Sequence, residues 1–153
     1  MKQHLKPQIS QITQIKNRNT ERQIELKSVN NYMDRDTRTH AIIGAAMEVH
    51  RTVGSGHLEA VYQECLEIEF KVRDIPFISQ PRLEIFYKEQ KLKKYYVPDF
   101  IAYNQVVVEI KAEQSMTKVD EAQLINSLVI SRHNTGLLLN FGEESLRYKR
   151  FVS

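Results

Sequence analysis

Cysteine is almost absent. Cys65 is the one thiol in 153 residues, which excludes an intrachain disulfide and a cysteine-rich zinc site. No apolar run approaches the roughly 20 residues that a bilayer span needs. The opening MKQHLKPQIS lacks the apolar block of a signal peptide, so a cytoplasmic protein is expected. A dinucleotide loop is missing too: Gly54-Ser55-Gly56 follows a helical segment rather than a strand, and Glu59 stands where the third glycine would be. Nor is there a strong charge excess in the folded part. Residues 1–40 hold 8 Lys+Arg and 4 Asp+Glu, whereas residues 41–153 hold 14 and 15, so the net +3 sits in the N-terminal quarter. A phosphate ligand would need a local basic patch or a bridging metal ion.

What is present suits one globular domain, with 41% hydrophobic and 27% charged residues. Residues 1–36, rich in Gln, Asn and Lys, are expected to form a poorly ordered extension. Ile9, Ile12 and Ile15 at three-residue spacing leave room for a helix formed on a partner. The domain spans residues 37–153. Ile42, Ala46, Val49, His50 and Val53 repeat at helical spacing. Gly54-Ser55-Gly56 ends that helix and starts a second, whose apolar stripe is read as Leu58, Val61, Tyr62, Cys65 and Leu66. Three strands should follow, over 77–87, 92–103 and 106–111. The tip of the first hairpin falls at residues 88–91, and Pro81 favours an edge or a bulge. A helix is expected over 117–132 with Thr117 as its cap, then strands over 137–140 and 146–151. This order predicts an α/β fold, a mixed sheet flanked by helices on both faces. Val106-Val107-Val108 marks a strand buried on both faces.

One feature conflicts with a purely structural hairpin. Its limbs, in VPDFIAYNQVVVEIK, carry Pro98-Asp99 on one side and Glu109-Ile110-Lys111 on the other. Residues two apart on a strand share a face, so Glu109 and Lys111 are neighbours. A two-residue turn at Asn104-Gln105 would set Asp99 opposite Ile110 and away from Glu109. A three-residue loop or a bulge would set Asp99 opposite Glu109, and that register is expected. Two carboxylates so close repel unless a cation lies between them. Mg²⁺ (or Mn²⁺), held by Asp99, Glu109 and the Ile110 carbonyl, meets that need. Lys111 would add a point charge for phosphodiester hydrolysis. Glu59, in the first turn of the second helix, either complements the helix dipole or faces the sheet and joins the site.

Several separated blocks then carry a resemblance. Gly56-His57-Leu58-Glu59-Ala60-Val61-Tyr62 fits G-x-x-E-x-x-Y, IIGAAMEVHRTVGSG precedes it, and VVVEIKAEQ and AQLINSL follow. Together, over residues 38 to 152, they resemble the GxxExxY proteins, a branch of the PD-(D/E)xK nuclease superfamily. The resemblance implies a restriction-endonuclease-like core of order α-β-β-β-α-β. It implies metal-binding roles for Asp99 and Glu109, and places Lys111 at the lysine of E-x-K. Glu59 corresponds to a helical glutamate of the RecB-like branches, and Gln123 to a glutamine on the helix after the sheet. An aromatic often lies four residues beyond that glutamine; Ser127 occupies the place here.

Other residues read more plainly. His50 is expected as a core histidine, or as a residue orienting Glu59, and His133 as a dipole partner at a helix end. Cys65 is expected to be buried and inert. Lys88, Lys91, Lys93 and Lys94 form either a solvated turn or a phosphate contact, with Tyr95 and Tyr96 available to stack on an unpaired base. The function these readings favour is a metal-dependent nuclease acting on DNA, with RNA the second choice. The alternative is a nuclease-fold binding or assembly module with little catalysis, working as a dimer or through a protein or nucleic-acid partner.

Overall fold

The computed structural model describes residues 36–153. Apart from Asp36, the N-terminal extension and its isoleucine spacing lie outside the described residues. Helix α1 (Thr37–Val53) starts where the Asp36 carboxylate accepts the Arg38 N–H, and it ends where Gly54, at φ +72°, donates its N–H to the His50 carbonyl. Ile42, Ala46, Val49 and His50 are buried, as their spacing predicts.

Helix α2 (Glu59–Val72) departs from expectation. Its buried face is Tyr62, Gln63, Leu66 and Phe70, whereas Leu58 and Val61 are 77% and 40% exposed. Leu58 is extended and only caps the helix, so it cannot share a helical stripe with Tyr62. Cys65 is half-buried at the rim of the core rather than inside it.

Two expected strands are each broken by a proline. Residues 77–87 divide into β1 (Phe77–Ser79) and β2 (Leu83–Tyr87), because Gln80 turns at φ +47° and Pro81 cannot donate to a ladder. Residues 92–103 divide at Val97-Pro98-Asp99 into β3 (Gln90–Tyr96) and β4 (Phe100–Ala102). The hairpin tip shortens to Lys88-Glu89, with Tyr87 paired to Gln90. The result is two sheets in place of one meander. β2 and β3 form a separate ribbon, while β5 (Val106–Lys111), β6 (Thr135–Asn140) and β7 (Arg147–Val152) complete a sheet of order β1-β4-β5-β6-β7.

β5 and β6 are parallel and the other neighbours antiparallel. A parallel pair needs a crossover, which α3 (Lys118–Ser131) supplies. Its expected capping box at Thr117 and Asp120 is present. β6 begins two residues earlier than expected and includes Gly136, where a Cβ would meet Leu128 and Leu124 of α3 at 3.0 and 3.2 Å. The two sheet faces bury different cores. Val106, Val108, Ile110, Leu137 and Leu139 pack with α1 and α2. Val107, Ile101 and Leu138 pack with Leu124 and Leu128 of α3, and Leu83 and Tyr96 of the ribbon lean on this second core. No helix among the described residues is long and apolar enough to cross a membrane.

Asn140 fixes the carboxyl end of the sheet. It is fully buried, paired in register with Lys111. Its Oδ1 accepts the Glu113 and Gly142 N–H groups (3.0 and 3.2 Å), and its Nδ2 donates to the Glu113 carbonyl and to Glu143 (2.9 and 3.0 Å). A Cβ at Gly142 would lie 2.1 Å from the Glu113 oxygen, so the two strand exits touch backbone to backbone. Asn140→Ala strands several buried groups at once. It should lower unfolding stability by about 2–4 kcal/mol in urea titrations, well beyond the loss of a single exposed hydrogen bond.

Candidate active site

The β4–β5 turn decides which side chains meet. Phe100 pairs with Val108 and Ala102 with Val106. The loop is therefore three residues, Tyr103-Asn104-Gln105, with Tyr103 and Asn104 at φ +54° and +56° and the Gln105 N–H donating to the Ala102 carbonyl at 3.1 Å. One step beyond Phe100–Val108, Asp99 stands opposite Glu109, the register expected from the longer loop. Alternation then sends Asp99, Glu109 and Lys111 to the α3 face, while Val108 and Ile110 enter the α1–α2 core.

One hydrogen bond joins the two limbs: Asp99 Oδ2 accepts the Ile110 N–H at 2.7 Å. The Asp99 N–H also favours the ionised form of Glu109. Burial nevertheless dominates their chemistry. It raises Asp99 above the usual carboxylate range, with the Glu59 charge adding to the shift. Burial, again reinforced by Glu59, lifts Glu109 to about 7, against the pull of Lys111 and the Asp99 N–H. Glu59 thus acts on both carboxylates by charge. It opens α2, which lies on the other side of the sheet, and makes no hydrogen bond to either.

Its placement explains the G-x-x-E-x-x-Y pattern. Gly54 and Gly56 both take positive φ in the turn. Tyr62 OH then donates to the Gly54 carbonyl at 2.7 Å and accepts the His57 N–H at 3.3 Å, tying the turn to the helix that begins at Glu59. Tyr62 is fully buried and stacks on Phe141, which also stacks on His50. His50 bonds the Glu143 carbonyl at 2.9 Å, the core reading rather than an orienter of Glu59. His133 sits just past α3 and contacts the Ser131 carbonyl at 3.0 Å.

Lys111 Nζ lies 3.3 Å from Asp120 Oδ1. Burial opposes its ammonium, but Asp120, Glu113 and Glu59 outweigh that and hold its pKa above the usual lysine value. Asp120 also accepts the Thr117 N–H and hydroxyl, so the cap of α3 and the lysine share one buried carboxylate. Sequence reasoning recognised the capping box; its link to Lys111 depends on how α3 docks. A cleft of about 330 Å³ opens here, lined by Glu109, Lys111, Asp120, Gln123, Ser127 and Tyr96. Gln123 therefore sits beside the pair. The Ser127 hydroxyl is turned back to the Gln123 carbonyl, and the aromatic wall comes from Tyr96 on β3. Tyr95 faces elsewhere, under the Arg82 guanidinium at 4.6 Å. At the ribbon tip Lys88 lies over Tyr87 and Lys91 pairs with Glu84.

The donor set fits a hard divalent cation: two carboxylates and the nearby Ile110 carbonyl, all oxygen. Among the described residues no three His, Cys, Asp or Glu side chains gather into a metal-sized group. The protein offers a carboxylate pair, the number Mg²⁺ commonly takes when water and phosphate complete its shell.

A mixed sheet of this order, crossed by one helix and carrying Asp99 opposite Glu109-Ile110-Lys111, defines a restriction-endonuclease-like domain. The model of the PD-(D/E)XK nuclease superfamily matches residues 35–151, and the chain belongs to that superfamily. Members are generally dependent on a divalent metal. No curated protein and no solved structure matches the chain significantly.

The raised carboxylates predict an unusual stability profile without metal. Between about pH 4.5 and 7 the folded state binds more protons than the unfolded one, so stability is full below that window and falls as pH rises through it. Glu109 alone contributes a loss of up to about 3 kcal/mol, and Asp99 acts in the same direction. In EDTA, Tm should drop from pH 5 to pH 7.5, and Glu109→Gln should flatten most of that slope. A wild-type Tm that rises over this range contradicts the assignment.

Proposed function

We propose that the domain hydrolyses phosphodiester bonds in DNA, with RNA the second choice, using Mg²⁺ or Mn²⁺. The observation that carries this is the Asp99 carboxylate bonded to the Ile110 N–H across the β4–β5 turn, with Glu109 and Lys111 of the same strand lining one cleft. Asp99, Glu109 and the Ile110 carbonyl would hold the ion, and Glu59 would be a further ligand or orient one. When bound, such an ion lowers the pKa of a water and neutralises charge on phosphorus. Glu109 must lose its proton to take part. Lys111, kept cationic and aimed by Asp120, stabilises the negative charge that builds on the phosphoryl oxygens. Gln123 helps place the substrate, and Tyr96 offers a flat surface to a base. The glycine turn, Glu59 and Tyr62 support membership of the GxxExxY branch.

A second reading draws on two observations. Lys111 is engaged by Asp120, and Ser127 faces its own helix. A binding or assembly module, acting as a dimer or through a protein or nucleic-acid partner in the cytoplasm, would tolerate both. It would show no Mg²⁺ or Mn²⁺ affinity that depends on Glu109.

Nicking of plasmid and single-stranded DNA tests the choice. Asp99→Ala and Glu109→Ala should abolish metal-dependent cleavage with little loss of fold. Lys111→Ala should lower turnover by about 10²–10³-fold and leave metal affinity nearly unchanged. If these variants cleave like the wild type, the activity belongs elsewhere.

A further inference from the structure

α2 buries a polar side chain where an apolar one would serve packing better. Gln63 is 8% exposed and looks across the sheet edge. Its Nε2 lies 2.9 Å from Ser79 Oγ, 3.1 Å from the Asp99 carbonyl and 3.5 Å from Glu67 Oε1. Its Oε1 is the one buried side-chain polar atom without a hydrogen-bond partner among the described residues. Leaving such an atom unpaired disfavours folding, and a methionine would avoid the penalty. The donor end of the amide therefore points to the reason for a glutamine.

That reason lies in the backbone of Asp99. Asp99 occupies the bend just before β4, where the chain returns from β3 of the ribbon to the main sheet. Pro98 before it is buried and has no N–H to anchor the chain. The Asp99 carbonyl is instead held by two donors, the Gln80 N–H at 2.9 Å and Gln63 Nε2. The Asp99 carboxylate is the group that the Ile110 N–H meets, next to Glu109, and the Asp99 N–H favours the ionised form of Glu109. A tilt of the Asp99 backbone would move its carboxylate relative to Glu109.

We propose that Gln63 is a positioning residue for the carboxylate pair, clamping the Asp99 peptide from α2 so that Asp99 and Glu109 present their oxygens to one divalent cation. Glu59 and Gln63 lie one helical turn apart, so α2 sets both the charge and the geometry of the site. The proposal rests on the reading that this pair binds metal.

The test measures Mn²⁺ binding by EPR in wild type, Gln63→Met and Gln63→Asn, together with the ¹H–¹⁵N shifts of the Asp99 and Ile110 amides without metal. Asparagine keeps an amide but is too short to reach the Asp99 carbonyl, and it serves if the methionine variant does not fold. Both variants should weaken Mn²⁺ by about 10-fold or more. Their Ile110 amide should shift, while their Tm stays close to wild type. Mn²⁺ affinity within twofold of wild type and an unmoved Ile110 amide overturn the proposal. If wild type shows no Glu109-dependent Mn²⁺ binding, the metal reading fails on its own. The role of Gln63 then stands or falls on the Ile110 amide, where no shift refutes it.

Discussion

Everything at this site depends on one hydrogen bond made across one turn. The Ile110 N–H reaches Asp99 Oδ2 at 2.7 Å. It fixes Asp99 beside the strand that carries Glu109, in surroundings that favour the neutral form of both acids. With Glu109 lifted to about 7, ionising it costs about 3 kcal/mol more than in a free chain. Full burial of a valine or isoleucine side chain stabilises by about 1.5–3 kcal/mol. The buried Val106, Val107, Val108 and Ile110 on the same strand can therefore offset that cost. The strand is apolar enough to carry a charge that burial disfavours.

The remaining architecture keeps that strand in place. β5 is central, with β4 and β6 on its sides and a separate core against each face. Asn140 pins its exit to that of β6, opposite Lys111. α3 crosses over with its capped end against Lys111, and the Tyr62 hydroxyl ties the glycine turn so that α2 begins at Glu59. Each of the four groups proposed for the site, Asp99, Glu109, Lys111 and Glu59, is set by a strand position or a helix start.

Much of this was legible in the residues. Hydrophobic spacing located α1 and α2, the Thr117 cap located α3, and Val106-Val107-Val108 marked the doubly buried strand. The paired Pro98-Asp99 and Glu109-Ile110-Lys111 limbs pointed to the site because acids are out of place between apolar strands. The register was legible only as a choice, since one residue of loop length reverses the face. Tyr103 and Asn104 settled it by adopting left-handed backbone, which residue type alone does not dictate. The breaks at Pro81 and Pro98 were visible as prolines, but their effect, a second sheet, depends on where the ribbon finds a partner. Gln63 and Asp120 were least legible. A glutamine on a helix usually faces water, and a first-turn aspartate usually serves the cap alone. Only the docking of α2 and α3 gives each a second partner in the site.

The central claim is that Glu109 is an acid held near neutrality by burial and released by a divalent cation. Carboxyl ¹³C NMR of Glu109, titrated in EDTA and again in Mg²⁺, measures this without relying on turnover. The account predicts a midpoint of about 7 without metal, displaced downward by about 1–3 units when Mg²⁺ binds. A metal-free midpoint near the ordinary 4.5, indifferent to Mg²⁺, would contradict it.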